Sequence, residues 1–312
     1  MRVVFMGTPD FAVPSLQGLI GAGYDIAGVF TQPDKPKGRG NKLTHSPVKE
    51  CALRHNIPVF QPSRIRKDGV EDLKSLAPDL CVTAAFGQIL SQEILDIPRL
   101  GTVNVHASLL PRHRGSAPIN WCILMGENKT GITTMMTDKG IDTGDMLLQR
   151  EIDILPGETA GELSIRLSSL GAQTLLETLA LLKQGRCPRI PQDHEAHTYE
   201  PMLKKEMGLI DWQKSAREII NQVRGLDPWP GTYTPFPEGI LKVIKVLAVE
   251  GICGIPGQVL AADGKQGLVV AAGDSAVHIL RLQAPGGKQM DAKDYLRGHP
   301  LTPGTIWQEN KE

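Results

Sequence analysis

Arg2-Val3-Val4-Phe5-Met6-Gly7-Thr8-Pro9 opens the chain with a short apolar run that halts at a glycine. Such a run, bounded by turn residues, reads as a buried strand. Phe11, Val13, Leu16, Leu19 and Ile20 then recur near helical spacing, and Ile26 to Phe30 is strand-like again. This strand–turn–helix–strand unit decides the fold class, because the pattern repeats outward from it. Ile57–Phe60, Leu80–Thr83 and Val103–Val105 are further short apolar runs with helical candidates between them. Ser46-Pro47-Val48 has the form of an N-cap followed by proline in the first turn. Repeated βα units predict an α/β domain with a doubly wound, mostly parallel sheet.

Farther along, Thr130–Thr137 and Met146–Ile154 suggest a hairpin-like pair. Thr159 to Gln184 is the longest helical candidate, with a Thr159/Glu162 capping box and Gly185 as C-cap. Its leucines, from Leu163 to Leu182, form a core-facing stripe. The texture changes near residue 190, where prolines crowd the chain and short glycine-separated β runs follow. That pattern predicts a smaller antiparallel β-barrel, OB-like, at the C-terminus. The expected division is a catalytic domain over 1–189, a linker over 190–206 and a β-rich domain over 207–312.

At 312 residues, 41% hydrophobic and 22% charged, the chain can bury two cores and is not wholly disordered. Thirty-four basic and thirty-four acidic residues cancel, which disfavours a uniformly basic nucleic-acid binder. The cancellation is also local to each part: net −1 over 1–200 and +1 over 201–312. No membrane span or secretory leader is expected. Cys51, Cys81, Cys122, Cys187 and Cys253 are dispersed, which suits reduced thiols in a cytoplasmic protein.

Three clusters could carry chemistry. In the strand-like Val103–His106, Asn104 and His106 fall on one face and Val103 and Val105 on the other. An amide donor beside an imidazole suits acyl transfer, although an isolated Asn-x-His is more often structural. Gly140-Ile141-Asp142-Thr143-Gly144-Asp145 places two carboxylates in a glycine-flanked loop; on local evidence a solvated Asx turn is the better reading, and a metal site is not expected. The segment from Thr31 to Glu50 nets +3 through Lys35, Lys37, Arg39, Lys42 and Lys49 against Asp34 and Glu50. A loop that long beside a sheet is often functional. Gly7-Thr8-Pro9 lacks a dinucleotide or nucleoside-triphosphate fingerprint and reads equally well as a tight turn.

Together and in this order, these clusters resemble the methionyl-tRNA formyltransferases. The similarity runs through Val3–Pro14, Phe30–Asp34, Gly38–Gly40, Ser46–Lys49, Asn104–Pro111 and Gly140–Met146, and continues at Ile210-Asp211-Trp212, Val223-Arg224-Gly225 and Pro228–Gly231. The resemblance implies transfer of the formyl group of 10-formyltetrahydrofolate to the α-amino group of initiator methionyl-tRNA. It implies Asn104, His106 and Asp142 as the catalytic trio and Ser108, Leu109, Leu110 and Pro111 as the folate-contacting segment. It also implies Lys35, Lys37, Arg39 and Lys42 as tRNA contacts, with Arg39 central. Lys204, Lys205, Lys242 and Lys245 are further phosphate-contact candidates. The chain departs from the pattern at residue 113, where His stands in place of an expected Trp; His113 reads as a loop residue and not as the base. Nothing calls for more than a monomer.

Two other classes compete. A formyltransferase of the same fold acting on a small free amine would not need the second domain. A non-catalytic tRNA-binding protein would keep the trio for structure alone. A dehydrogenase is disfavoured by the missing glycine fingerprint.

Overall fold

A computed structural model describes residues 1–37, 42–236 and 238–307. The chain divides into two compact units: Met1–Pro118, Lys129–Asp153 and Ser164–Glu200 form the first, and Ile119–Asn128, Ile154–Leu163 and Pro201–Glu312 the second.

The first unit is built on strands β1 (Arg2–Gly7), β2 (Asp25–Phe30), β3 (Lys35–Lys37), β4 (Lys42–Thr44), β5 (Val59–Phe60), β6 (Leu80–Ala84), β7 (Thr102–His106), β8 (Arg114–Gly115), β9 (Lys129–Met136), β10 (Met146–Asp153) and β11 (Tyr199–Glu200). Seven of them make one sheet in the order β10-β9-β7-β6-β1-β2-β5. The pairs from β7 through β5 are parallel, whereas β9 runs antiparallel to both β7 and β10. Residues 3–6 of β1 are fully buried, including Phe5 and Met6, as expected of a central strand covered on both faces. Each such side chain contributes about 1.5–3 kcal/mol by leaving water.

The expected helix after the Thr159 capping box runs Ala160–Lys183. Thr159 Oγ1 accepts from Glu162 N, and Glu162 Oε2 accepts from Thr159 N at 2.9 Å. Gly171 lets this helix lie against the sheet, since a Cβ there would stand 2.9 Å from Val105 Cγ1. Thr134 and Thr178 hydroxyls meet at 2.7 Å across the same contact. Ser46 caps the helix Pro47–Arg54 by accepting from Lys49 N. The polar loop expected over Thr31–Thr44 instead carries a short hairpin, β3 paired with β4.

The second unit holds β12 (Thr232–Phe236), β13 (Gly239–Val249), β14 (Val259–Asp263), β15 (Gly267–Ala271), β16 (Ala276–Gln283) and β17 (Gln289–Asp291). They form an antiparallel sheet ordered β12-β13-β16-β15-β14. Along β16, β15 pairs with Ala276–Ile279 and β17 takes over at Arg281–Gln283. Helices Ala216–Gly225 and Ala292–Gly298 pack on this sheet, and Ser215 with Glu218 forms a capping box for the first. Trp212, Phe236, Tyr295 and Trp307 are buried in one core with Leu241, Val270 and Ile279. The Phe236 and Trp307 rings meet edge to face at 5.9 Å, a preferred aromatic geometry.

Among the described residues no helix is long and apolar enough to cross a membrane.

Candidate active site

The chain visits β1, β2 and β5 on one side, then returns to place β6 on the other side of β1. Such a reversal opens a crevice at the carboxyl ends of the strands. Thr8 binds the rim together: its hydroxyl donates to Phe86 O at 3.1 Å and accepts from Gln32 N at 3.3 Å. Gln32 Nε2 donates to Phe86 O and Gly87 O in turn. Gly7-Thr8 is therefore a tight turn that ties β1, β2 and the loop after β6.

Asn104 and His106 share one face of β7, while Val103 and Val105 are buried on the other. Thr83 of β6 pairs with Asn104 in register and donates its hydroxyl to Asn104 Oδ1 at 2.8 Å. That bond orients the amide, leaving Nδ2 to donate to Asp142 Oδ1 at 3.4 Å. His106, at the carboxyl end of β7, has a 6% exposed side chain. Its Nε2 lies 2.9 Å from His113 O. A carbonyl oxygen can only accept, so Nε2 carries the hydrogen of the neutral ring and Nδ1 keeps the lone pair. Nδ1 faces Asp142 Oδ1 at 3.6 Å, an ion-pair separation.

Asp142 arrives from an unexpected direction. Val103 pairs with Met136, so β9 ends beside the start of β7. The connection to β10 then folds back over the face that bears Asn104 and His106. Gly144 permits the return, since a Cβ there would collide with Met136 O. Asp142 itself takes a left-handed φ of 53°, a conformation that asparagine and aspartate tolerate better than most residues. Its Oδ2 accepts from Gly115 N at 2.9 Å. The solvated Asx turn favoured by the local sequence is thus a held loop with a 17% exposed carboxylate.

Sequence reasoning did not find Gln192. Its Nε2 donates to Asp142 O and Gly144 O, both at 2.8 Å, and its Oε1 accepts from Arg114 Nε and Nη2 at 3.0 and 2.7 Å. Gln192 and Arg114 are both buried. The stretch read as a linker therefore supplies a clamp on the Asp142 loop. Its proline-rich surroundings carried no signal of this.

In the segment Ser108–Pro111, Ser108 and Leu110 are buried and Leu109 and Pro111 half-buried. Thr133 Oγ1 donates to Ser108 O at 2.7 Å and accepts from Leu110 N at 3.1 Å. Gln149 Nε2 donates to Leu110 O at 2.8 Å. Thr133 and Gln149, also unnoticed in the sequence, lock the segment's shape.

Of the basic-loop candidates, Lys35 is exposed on β3, Lys37 and Lys42 pair as backbone partners, and Arg39 lies outside the described residues. Lys49 is engaged, donating to Asp34 Oδ2 at 2.6 Å. Hydrogen bonds from Lys49, Gln61 and His45 lower the Asp34 carboxyl to about 2. Cys81 is buried, with its thiol pushed up to about 12, and behaves as an apolar side chain. Among the described residues no group of three or more His, Cys, Asp or Glu side chains could hold a metal ion.

Residues 1–179 match the formyl transferase family and residues 202–300 its C-terminal domain. The chain is 51% identical over 306 residues to the methionyl-tRNA formyltransferase of Geobacter sulfurreducens, covering 98% of this chain and 96% of that one. It is 52% identical over 309 residues to that of Acetivibrio thermocellus, covering 98% and 99%.

The chain belongs to the methionyl-tRNA formyltransferases.

More distant members of the fold extend the comparison. An N-formyltransferase of Helicobacter canadensis, solved with folinic acid and dTDP-3-aminofucose, matches with a TM-score of 0.67 at 19% identity, covering 89% of this chain and 97% of that one. HypX of Aquifex aeolicus, solved with tetrahydrofolic acid, matches with 0.63 at 17% identity over 99% of this chain and half of its own longer one. At those identities the likeness is one of fold.

Proposed function

We infer that the chain transfers the formyl group of 10-formyltetrahydrofolate to the α-amino group of methionine on initiator methionyl-tRNA, and that Asn104, His106 and Asp142 carry the chemistry. The reading rests on the convergence of an amide donor, an imidazole with an exchangeable Nδ1 and a carboxylate on one face of β7.

The reaction forms a bond from the amine nitrogen to the formyl carbon and breaks the bond from that carbon to N10. The amine sheds a proton and N10 gains one. Asn104 Nδ2 supplies a preorganised donor for the oxygen on which charge develops. Its amide cannot turn without losing the Thr83 bond, so the donor needs no reorientation during the reaction. His106 accepts the amine's proton at Nδ1 and returns it to the leaving nitrogen. Asp142 faces that nitrogen and stabilises the imidazolium that forms between the two transfers. The three groups suit a formyl donor that brings its own electrophile, because they supply hydrogen bonding and a proton carrier.

Ser108–Pro111 is proposed to seat the folate. Its peptide groups are already braced by Thr133 and Gln149. The segment therefore offers the half-buried Leu109 and Pro111 side chains as a preformed apolar wall, which suits an aromatic ring system. Lys35, Lys37, Arg39 and Lys42 are proposed to meet the tRNA, with Lys204, Lys205, Lys242 and Lys245 as further phosphate contacts. The chemistry is assigned to residues 1–189, the connection to 190–206 and tRNA binding to 207–312. On this reading the protein acts as a monomer in the cytoplasm.

The test is a formylation assay with 10-formyltetrahydrofolate and charged initiator tRNA. His106→Ala and Asn104→Ala, checked for folding, are expected to lose about 10²–10⁴-fold in kcat. Near-native turnover by both would overturn the assignment.

A further inference from the structure

Behind the catalytic imidazole stands a second, buried one. His113 follows Ser108–Arg112, has a left-handed φ of 57° and is 4% exposed. Few side chains adopt that backbone region without support. Here the support comes from the end of the first unit. Thr198 Oγ1 accepts from His113 N at 2.7 Å, and Arg114 N donates to Thr198 O at 3.0 Å. His113 Nδ1 lies 3.0 Å from Glu200 Oε1, with 5% and 7% of the two side chains exposed. A carboxylate accepts, so Nδ1 of His113 carries the hydrogen.

These contacts have a consequence at the reacting site. His106 Nε2 donates to the carbonyl oxygen of His113. The direction of that oxygen follows from the strained backbone at His113, and the conformation at His113 follows from Thr198 and Glu200. If the carbonyl turned away, Nε2 would lose its acceptor. The hydrogen of neutral His106 could then reside on Nδ1, where Asp142 would accept it, and Nδ1 would no longer be free to take the amine's proton.

We propose that Glu200 is a positioning residue for formyl transfer: acting through His113, it holds the His113 carbonyl on His106 Nε2 and so keeps Nδ1 of His106 as the proton-accepting atom. The sequence separation of 87 residues between His113 and Glu200 hides this link from any local reading. The proposal explains why a histidine stands between Arg112 and Arg114: it pairs with a buried carboxylate and fixes a carbonyl at once. It rests on the assignment of His106 as the proton carrier.

The experiment uses the full chain with ¹⁵N-labelled histidine. The His106 ring nitrogens are assigned by their loss in His106→Gln. Native protein should show neutral His106 with hydrogen on Nε2. Glu200→Ala should shift the population toward hydrogen on Nδ1 and lower kcat by about 10–100-fold, leaving KM for both substrates within about twofold. Glu200→Gln keeps an acceptor oxygen and should restore both readouts. Glu200→Asp keeps the charge but draws the carboxylate back by one methylene. It should fall between native and Glu200→Ala, and it serves if the alanine variant does not fold. An unchanged His106 tautomer with unchanged kcat in Glu200→Ala or Glu200→Asp would overturn the proposal. Retained turnover in His106→Ala would instead remove the assignment beneath it, so the two failures are separable.

Discussion

Gln192 holds Asp142 by the backbone: its amide donates to Asp142 O and Gly144 O at 2.8 Å each, across 50 and 48 residues of sequence. The same amide oxygen accepts two bonds from the buried Arg114 guanidinium. One side chain thereby satisfies a buried charge and fixes a loop that presents a carboxylate to His106.

Gln192→Leu should be costly on both counts. It leaves the Arg114 donors and two loop carbonyls without this partner, a loss of about 1–3 kcal/mol in urea unfolding. It should also lower kcat, because Asp142 is released from its left-handed conformation. Gln192→Glu separates the two effects: it can still accept from Arg114 but cannot donate to the loop. Stability should recover in part while kcat stays low.

Thr83→Val tests the orientation of Asn104. Valine keeps the shape of threonine but removes the hydrogen that fixes Asn104 Oδ1. The amide then becomes free to turn its oxygen toward the substrate side. A fall of about 5–30-fold in kcat is expected, the equivalent of one lost hydrogen bond of about 1–2 kcal/mol. Native kcat in this variant would show that Asn104 needs no fixed orientation.

Asp34 gives the fold a defined acid sensitivity. Hydrogen bonds from Lys49, Gln61 and His45 hold its carboxyl at about 2, below the ordinary value of 3.8. The folded pKa is depressed, so this contribution is complete above the unfolded value and is lost as pH falls through the folded one. The window is therefore between about pH 4 and pH 2. Asp34→Asn should flatten the fall in stability across that window in acid titrations followed by circular dichroism.

Binding of tRNA should depend strongly on salt even though the chain carries no net charge. Lys35→Ala and Arg39→Ala are each expected to raise KM for charged tRNA and to leave KM for the formyl donor unchanged. Each lost phosphate contact should reduce the slope of log affinity against log salt by about 0.7–0.9. A change confined to the formyl donor would reassign the segment to the folate side.

In the second unit, Trp212 Nε1 donates to Thr234 Oγ1 at 3.0 Å, with both side chains buried. Thr234→Val leaves the indole N–H unsatisfied in an apolar core and should cost about 1–3 kcal/mol. A melting temperature equal to native would show that the indole finds another acceptor.

Much of the architecture was legible because it depends on short-range order. The run before Gly7 becomes β1, the Thr159 capping box starts the helix Ala160–Lys183, and Thr130–Thr137 pairs with Met146–Ile154 as β9 and β10. Alternation along Val103–His106 placed Asn104 and His106 on one face, because a strand has a period of two. The hairpin of β3 and β4 was not legible, since Lys35–Lys37 and Lys42–Thr44 carry lysines and a proline in place of an apolar pattern.

By itself, then, the sequence determined the elements, the alternation that pairs Asn104 with His106, and the family. The tertiary structure alone decided which nitrogen of His106 is available, from which end of β7 Asp142 returns, and that Gln192, Thr198 and Glu200 brace the site. The reason is physical. Strand and helix periodicity are properties of neighbouring residues, and local sequence carries them. A tautomer is set by a single acceptor, and a loop's course by a few long-range hydrogen bonds. The acceptor for His106 is only seven residues on. The groups that hold it, Thr198 and Glu200, lie 85 and 87 residues from His113, and the Gln192 clamp on the Asp142 loop spans 50 and 48, where no local pattern can point to them.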